Sequence, residues 1–251
     1  MPELVDVPLY LNWSFWAVVV AAIAILLSQL PPVHVLLRRA KLDIETYSRI
    51  SLTHRVGNPN LQLHLVLSNT GGRSVKVNGI SATIKKDANQ VATLPAQSYL
   101  QNPTDTTPLV FTRFSLKPKE EWAHFVNFLN YFSRSDEKKY RYAQSQLRAE
   151  VLEKKKEPQN KDVIVEVGEE FITVFIEMFD GKFLWFPGEY EMCISIEAKP
   201  PRACIEKKYR FTLFESDSDE LSKVREDYKF GDGIFWESGN HPGVIVQISE
   251  A

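Results

Sequence analysis

Cysteine and histidine are scarce in this chain, which limits the sites that it can build. Only two of its 251 residues are cysteine, Cys193 and Cys204. So few thiols exclude a disulfide framework and are typical of a reducing compartment. The five histidines include no pair at the i, i+4 spacing of a zinc-binding helix. We therefore predict no metal site and no cofactor, and leave open whether the two cysteines approach each other.

The motifs of common enzyme classes are missing as well. The sequence has no GxSxG element, which would present a serine nucleophile on a sharp strand-to-helix turn. Gly71 and Gly72 follow a predicted strand, but the Lys-Ser/Thr step and the helix pattern of a phosphate-binding loop do not follow them. Acidic pairs such as Asp217 and Asp219 are typical of solvated charge. We therefore predict no catalytic residue and no enzymatic activity.

Charge is absent from residues 12–30, NWSFWAVVVAAIAILLSQL. This stretch has about the length that the hydrocarbon core of a bilayer requires. Trp13 and Trp16 are typical of side chains at the headgroup level, and Pro31 and Pro32 remove two backbone donors at the other end. The sequence therefore predicts a transmembrane helix over residues 12–30, behind a short N-terminal tail over residues 1–11. A cleaved signal peptide and a buried core helix are the alternatives.

Basic residues are missing before this stretch and present just after it. The tail contains Glu3 and Asp6 but no lysine or arginine, which argues against a cleaved signal peptide. Arg38, Arg39 and Lys41 fall in the window that the positive-inside rule counts. We therefore expect residues 31–42 to form a basic linker, the following domain to lie in the cytoplasm (at the inner membrane in a bacterium), and the bilayer to be a partner. The predicted membrane-interface residues are Trp13, Trp16, Arg38, Arg39 and Lys41.

Residues 43–251 have the composition and the length of one ordinary folded domain. Of the whole chain, 25% is charged and 44% is apolar, as in globular proteins. The net charge of −2 gives no general attraction to nucleic acid, and we do not expect nucleic acid to be a partner.

Short strands predominate in this domain. Residues 61–67, LQLHLVL, alternate leucine with other residues, the period of two that a strand with one buried face requires. The apolar phase slips by one residue at Asn78 and Gly79, which predicts a β-bulge. Further strands are predicted over residues 44–53, 75–84, 109–116, 163–167, 171–179, 189–198, 203–214, 234–237 and 244–248, the last as an edge strand. Residues 87–108 are predicted to be a loop with at most one short strand. A series of short strands separated by turns favours an antiparallel sandwich.

One part of this pattern resembles a known architecture. A turn at Pro187 and Gly188, a strand that begins near Tyr190 and the long hairpin after it are similar to the last strands of immunoglobulin-like sandwiches. The resemblance covers about 30 residues and implies a fold without implying a function. The expected fold is therefore mainly β, with a single transmembrane helix followed by an immunoglobulin-like β-sandwich.

A helical insertion is predicted over residues 119–157. Apolar residues recur at helical spacing in its first part, at Trp122, Phe125, Phe128, Leu129 and Phe132. A second helix over residues 136–156 begins with acidic residues and ends in three lysines, which complements the helix dipole. We expect the aromatic face of the first helix to pack against Phe175 in the predicted strand over residues 171–179.

The predicted function is that of a membrane-anchored binding or scaffold protein, which recruits a protein partner or senses a ligand. The candidate partner contacts are the basic residues Lys138, Lys139, Arg141 and Arg148 of the second helix, for which an ordinary solvated helix is the alternative. No small-molecule ligand is identifiable. The alternative function is a membrane effector whose transmembrane helices self-associate along a row of small residues, namely Ala17, Ala21, Ala24 and Ser28.

Overall fold

The computed structural model describes residues 13–29, 38–102, 104–157, 159, 163–236, 239 and 243–251. The predicted tail, the proline pair after the apolar stretch and most of the predicted linker lie outside the described residues. Helix α1, Trp13–Gln29, has 17 residues and rises about 26 Å at about 1.5 Å per residue, less than the roughly 30 Å of a hydrocarbon core. Among the described residues, no helix is both long and apolar enough to cross a membrane. The predictions of a transmembrane helix over residues 12–30 and of a single-pass membrane protein are therefore wrong.

The described residues form eleven strands in one antiparallel sheet, not the two packed sheets of a sandwich. The strands are β1 (Leu42–Arg55), β2 (Asn58–Asn69), β3 (Val75–Lys86), β4 (Asn89–Leu100), β5 (Leu109–Val110), β6 (Phe114–Leu116), β7 (Glu121–Leu129), β8 (Gly188–Lys199), β9 (Ile205–Leu213), β10 (Val244–Gln247) and β11 (Ser249–Glu250). Their order is β10-β1-β2-β7-β4-β3-β8-β9-β11, with β5 on β4 and β6 on β3. Because β10 pairs with β1 while β11 pairs with β9, the two edges meet and the sheet is a nearly closed barrel. The prediction of an immunoglobulin-like sandwich is wrong.

The barrel interior holds the main core, and β2 shows how the sequence builds it. Buried and partly exposed residues alternate strictly along β2, and Leu61, Leu63, Leu65 and Leu67 are all at most 2% exposed. The strand prediction for residues 61–67 is confirmed. The predicted bulge is confirmed too, because the register between β3 and β8 shifts between Val77 and Gly79.

Strand β7 replaces the predicted helix over residues 122–132. It lies between β2 and β4, with Val126 and Phe128 fully buried inside the barrel. Phe125 and Leu129, on the opposite face, are also apolar, so this segment fits a period of two as well as a helical period. Two neighbouring strands and an aromatic composition favour the strand. Residues 87–108, predicted to be mostly loop, contain the 12-residue strand β4.

In the described part of the chain, three more helices pack around the barrel: α2 (Arg134–Lys154), α3 (Thr173–Lys182) and α4 (Glu215–Lys223). Three 3-10 segments accompany them, at Glu169–Phe171, Pro201–Ala203 and Val224–Phe230. The predicted helix over residues 136–156 is confirmed as α2, whose N-cap Ser133 accepts a hydrogen bond from the Asp136 N–H at 3.1 Å. The predicted insertion over residues 119–157 is thus helical only in its second part.

Helix α3 replaces the predicted strand over residues 171–179. Its buried residues Phe175, Met178 and Phe179 lie at helical spacing on one face. The Phe175 ring is 5.6 Å from the ring of Tyr140 on α2 and 6.3 Å from that of Tyr228. The predicted packing of an aromatic helix over residues 122–132 on a strand that contains Phe175 is therefore wrong, because the first segment forms β7 and Phe175 lies in a helix. Residues 163–167 and 234–236, also predicted to be strands, form none.

The barrel has two different ends. At the helical end, where β1 turns into β2, Gly57 has a φ of +77° and lies so close to α3 that a Cβ would come within 2.5 Å of the Phe179 oxygen. The buried Trp185 also lies at this end, and its Nε1 donates to the oxygen of Thr53 at 2.9 Å. The turn end, opposite, includes residues 38–41, 70–74, 117–120 and 199–204, which lie at or between strand ends.

Candidate functional site

The C-terminal residues 244–251 close the barrel by crossing from one sheet edge to the other. Four residues of β10 pair with Arg49 to Leu52 of β1, and two residues of β11 pair with Tyr209 and Arg210 of β9. At the crossing point, the Ile248 N–H donates to the oxygen of Ser48 at 2.8 Å. Because the segment crosses obliquely, a gap opens on each side of it.

The gap nearer the turn end is bridged by a side chain. Lys207 Nζ on β9 donates to the oxygen of Ile44 on β1 at 3.1 Å and lies 2.7 Å from the Glu250 Oε1. The hydrogen bond with Glu250 raises the pKa of Lys207, so this lysine stays charged. The closing strand is therefore tied to both edges at this side of the seam.

The gap nearer the helical end is a cleft of about 610 Å³, within the size range of ligand-binding sites. It lies between β9 and β10, which approach each other without pairing. Residues 211–213 of β9 pair only with β8, and β10 pairs only with β1. Each strand thus turns one edge toward the cleft that has no partner strand among the described residues. An unpaired strand edge is a template for a further strand.

Two large apolar side chains are exposed at the cleft. Phe214 is 61% exposed and Ile245 is 70% exposed. The Phe214 N–H donates to the Asp217 Oδ2 at 3.1 Å, which fixes the start of α4 beside the cleft. An incoming chain can therefore bury apolar surface here without displacing any side chain of the core.

The cleft and the groove beside it are acidic. A depression of about 380 Å³ continues from the cleft and shares Glu189, Tyr190 and Arg210 with it. Together they are lined by four carboxylates and two cations, namely Asp87, Glu189, Glu191, Asp217, Lys85 and Arg210. Glu191 is shared between Lys85 at 3.9 Å and Lys208 at 3.7 Å. With Lys208 counted, four carboxylates face three cations, and the net charge of −1 favours a ligand that carries basic groups.

The inner wall of the cleft is rigid. The Tyr190 ring stacks on Phe211 with 5.1 Å between centroids and 4° between planes. Its hydroxyl lies 2.8 Å from the oxygen of Leu184 and 2.7 Å from that of Phe186. Burial raises the pKa of Tyr190 to about 12. Tyr190 is therefore a neutral, fixed group.

The predicted partner-contact residues lie elsewhere. Lys138, Lys139, Arg141 and Arg148 are exposed on α2. Arg141 Nε is 2.6 Å from the Glu137 Oε1, whereas the other three form no ion pair within the described part of the chain. None of the four lines the cleft, and whether they contact a partner stays a prediction.

The predicted membrane-interface residues fall into two groups. Trp13 and Trp16 on α1 are 90% and 51% exposed. Arg38, Arg39 and Lys41 are exposed at the turn end, just before β1. The two groups belong to different elements, and their contact with lipid stays a prediction.

Sequence reasoning missed Arg210, Phe214 and Ile245 as site residues. The pattern of residues 244–248 does indicate that Ile245 points away from the core, since Val244 and Val246 are its buried neighbours. It does not show that β9 lies beside Ile245, because that proximity depends on pairing between distant parts of the chain.

No metal site accompanies the cleft. Among the described residues, no group of three or more histidine, cysteine or acidic side chains could hold a metal ion. Cys193 is buried and Cys204 is exposed, and both are free thiols.

A half-buried aromatic cluster near the turn end contains His124. The His124 ring is 4.7 Å from Trp122 and 4.8 Å from Tyr99. Burial lowers the pKa of His124, against the opposing effect of a hydrogen bond with the Gln101 backbone. Its ring therefore packs as a neutral aromatic group at neutral pH.

Comparison with known proteins identifies no family for this chain. The sequence matches no protein-family model and no curated protein. Among solved structures, the chain is similar to a crystal structure of a protein from Archaeoglobus fulgidus. The two are 11% identical over 69% of this chain and 97% of the other, with a TM-score of 0.25.

Proposed function

We propose that this protein is a binding module that takes an extended segment of a protein partner into the seam of its barrel. The observation that carries the proposal is the pair of strand edges, on β9 and β10, that face the cleft without a partner strand. A segment that adds to such an edge as a strand forms backbone hydrogen bonds with the protein. The side chains beside the edge determine which segment sequences bind.

The lining of the cleft defines the chemistry of the segment. The exposed side chains of Phe214 and Ile245 suit apolar residues, and the carboxylates of Glu189 and Asp217 suit basic ones. A strand turns successive side chains to opposite faces, so a segment in which apolar and basic residues alternate meets both requirements. This partner class agrees with the function predicted from the sequence, at a different surface.

A labelled peptide of about eight residues that alternates valine and lysine, roughly 26 Å long when extended, tests the proposal. We expect its fluorescence anisotropy to rise on addition of the protein. An otherwise identical valine–glutamate peptide should bind more weakly, because the cleft is acidic. Amide hydrogen exchange should slow in β9 and β10, since their edges become paired. Ile245→Lys should weaken binding about tenfold or more, because it removes apolar surface and adds like charge.

The matched control is Ile164→Lys, at a side chain that is 61% exposed and lies outside the cleft. It should leave the affinity unchanged. Equal weakening by both variants, protection of strands other than β9 and β10, or no binding of either peptide would each overturn the proposal.

A further inference from the structure

The turn end of the barrel concentrates positive charge in a protein whose net charge is negative. Four of its segments, residues 38–41, 70–74, 117–120 and 199–204, carry eight basic residues and one acidic residue, Glu120. The basic residues are Arg38, Arg39, Lys41, Arg73, Lys117, Lys119, Lys199 and Arg202. The net charge of these segments is +7, and since the whole chain carries −2, the remainder carries −9.

Backbone hydrogen bonds hold three of these segments together. Gly71 and Gly72 donate to the oxygens of Lys41 and Arg39 at 3.1 and 3.2 Å. A Cβ at Gly71 would collide with the Arg39 oxygen, so only glycine permits this close approach. The buried Asn69 side chain donates to the oxygens of Arg73 and Leu116, each at 2.9 Å. The cations of residues 38–41, 70–74 and 117–120 therefore share one surface.

The fourth segment joins the same surface through the sheet. Lys76 of β3 is the register partner of Lys199 at the end of β8. Residues 199–204 therefore begin directly beside the strand that follows residues 70–74. The result is a continuous rim of turns rather than a groove.

The basic side chains of the turn end are exposed and form no ion pair within the described part of the chain. Ten basic residues elsewhere in the described chain each have a carboxylate within 4.0 Å. Lys138, Lys139 and Arg148 on α2 resemble the turn end in having none, but they are not part of a comparable cluster. Eight cations without a neighbouring carboxylate repel one another at this end of the barrel. An anionic partner would relieve this repulsion and would not have to displace a carboxylate of the protein.

We propose that the turn end binds an anionic phospholipid surface through its eight basic side chains. A planar surface contacts one end of the barrel only and leaves the acidic remainder facing away from the negative charge. The contact is electrostatic, requires no helix that crosses the bilayer, and is independent of the peptide cleft.

Two observations favour lipid over nucleic acid. The aromatic rings nearest this end already stack on one another, with 4.8 Å between the centroids of Phe114 and Trp122, so they offer no free platform for bases. The uncharged helix α1, with its exposed tryptophans, ends nine residues before Arg38. Tryptophan is enriched at the interface between lipid and water.

Sedimentation of the full chain with vesicles tests the proposal. We expect tighter binding to phosphatidylcholine vesicles with about 30% phosphatidylserine than to pure phosphatidylcholine, because anionic lipids attract clustered basic residues. Binding should fall when salt rises from about 0.1 M to about 1 M, since the Debye length shrinks from about 10 Å to about 3 Å. Binding to vesicles of pure phosphatidylcholine measures how much the uncharged helix α1 contributes to the affinity.

Charge reversal locates the contact. The double variant Arg73→Glu and Arg202→Glu should bind the anionic vesicles at least about twentyfold more weakly, at about fivefold for each basic residue lost. The control is Lys138→Glu with Arg148→Glu on α2, which changes the net charge equally at two exposed residues that have no ion pair with any described residue. It should bind as the parent does, and both variants should show the parental urea unfolding curve.

Three outcomes would overturn the proposal. Equal binding to neutral and anionic vesicles would remove the electrostatic contact. Equal losses in the two double variants would show a dependence on net charge alone. Displacement of the vesicles by a short DNA duplex at equal phosphate concentration would assign the surface to nucleic acid instead.

Discussion

Two buried tyrosines at the helical end differ in one hydrogen bond. The Tyr140 hydroxyl donates to the oxygen of Ile234 at 2.7 Å. The Tyr228 hydroxyl, in the same aromatic group, is buried with no hydrogen-bond partner among the described residues. Burial also raises the pKa of Tyr228. An unsatisfied buried hydroxyl costs free energy that a satisfied one does not.

Replacing each tyrosine by phenylalanine should therefore have different effects on stability. Tyr228→Phe should leave the free energy of unfolding unchanged or raise it by up to about 1 kcal/mol. Tyr140→Phe should lower it by about 1 kcal/mol, and not more, because Gln144 Nε2 still donates to the Ile234 oxygen at 2.6 Å. Urea unfolding at pH 7 measures both. A clear loss of stability in Tyr228→Phe would reveal a partner for its hydroxyl.

Among the elements, the closing strand β10 has one buried and one exposed face. Val246 is 6% exposed and points into the barrel, whereas Ile245 is 70% exposed at the cleft. Val246→Ala should lower the free energy of unfolding by about 2 kcal/mol, through lost burial and a residual cavity. Ile245→Ala should change it by less than about 0.5 kcal/mol. Equal losses in urea unfolding would show that β10 is not seated as described.

Some elements could be predicted from the sequence and others could not. Strand β2 was predictable because its leucines alternate strictly with other residues. Helix α2 was predictable because acidic residues begin the segment and lysines end it, as the helix dipole favours. The segment of β7 was predicted to be a helix and that of α3 to be a strand, because the apolar residues of each fit a period of two and a helical period. Packing decided between them: β7 has a strand on each side, and α3 buries Phe175 against Tyr140 and Tyr228. Such contacts leave no local signal in the chain.

For the whole molecule, the two proposed surfaces follow from topology rather than from motifs. The cleft exists because residues 244–250 pair with two strands that are about 40 and about 200 residues away in sequence. The basic turn end was predicted only in its first segment, at Arg38, Arg39 and Lys41. Its other cations come from turns that no local pattern relates to one another. The acidic cleft faces the helical end and the cations face the turn end, so partners at the two surfaces do not compete.

Residues 38–251 should fold without the segment before them. The side chains of α1 stay exposed, with Val18 at 68% and Leu26 at 66%, so they bury little surface that could stabilise the barrel. Deleting residues 1–37 should change the free energy of unfolding by less than about 0.5 kcal/mol. Urea unfolding followed by tryptophan fluorescence, to which the buried Trp185 contributes, measures this change. The control deletion of residues 1–41 also removes the acceptors for Gly71 and Gly72 and the buried Ala40. It should cost about 2 kcal/mol or more. A similar loss in both deletions would show that α1 or the segment after it packs on the barrel.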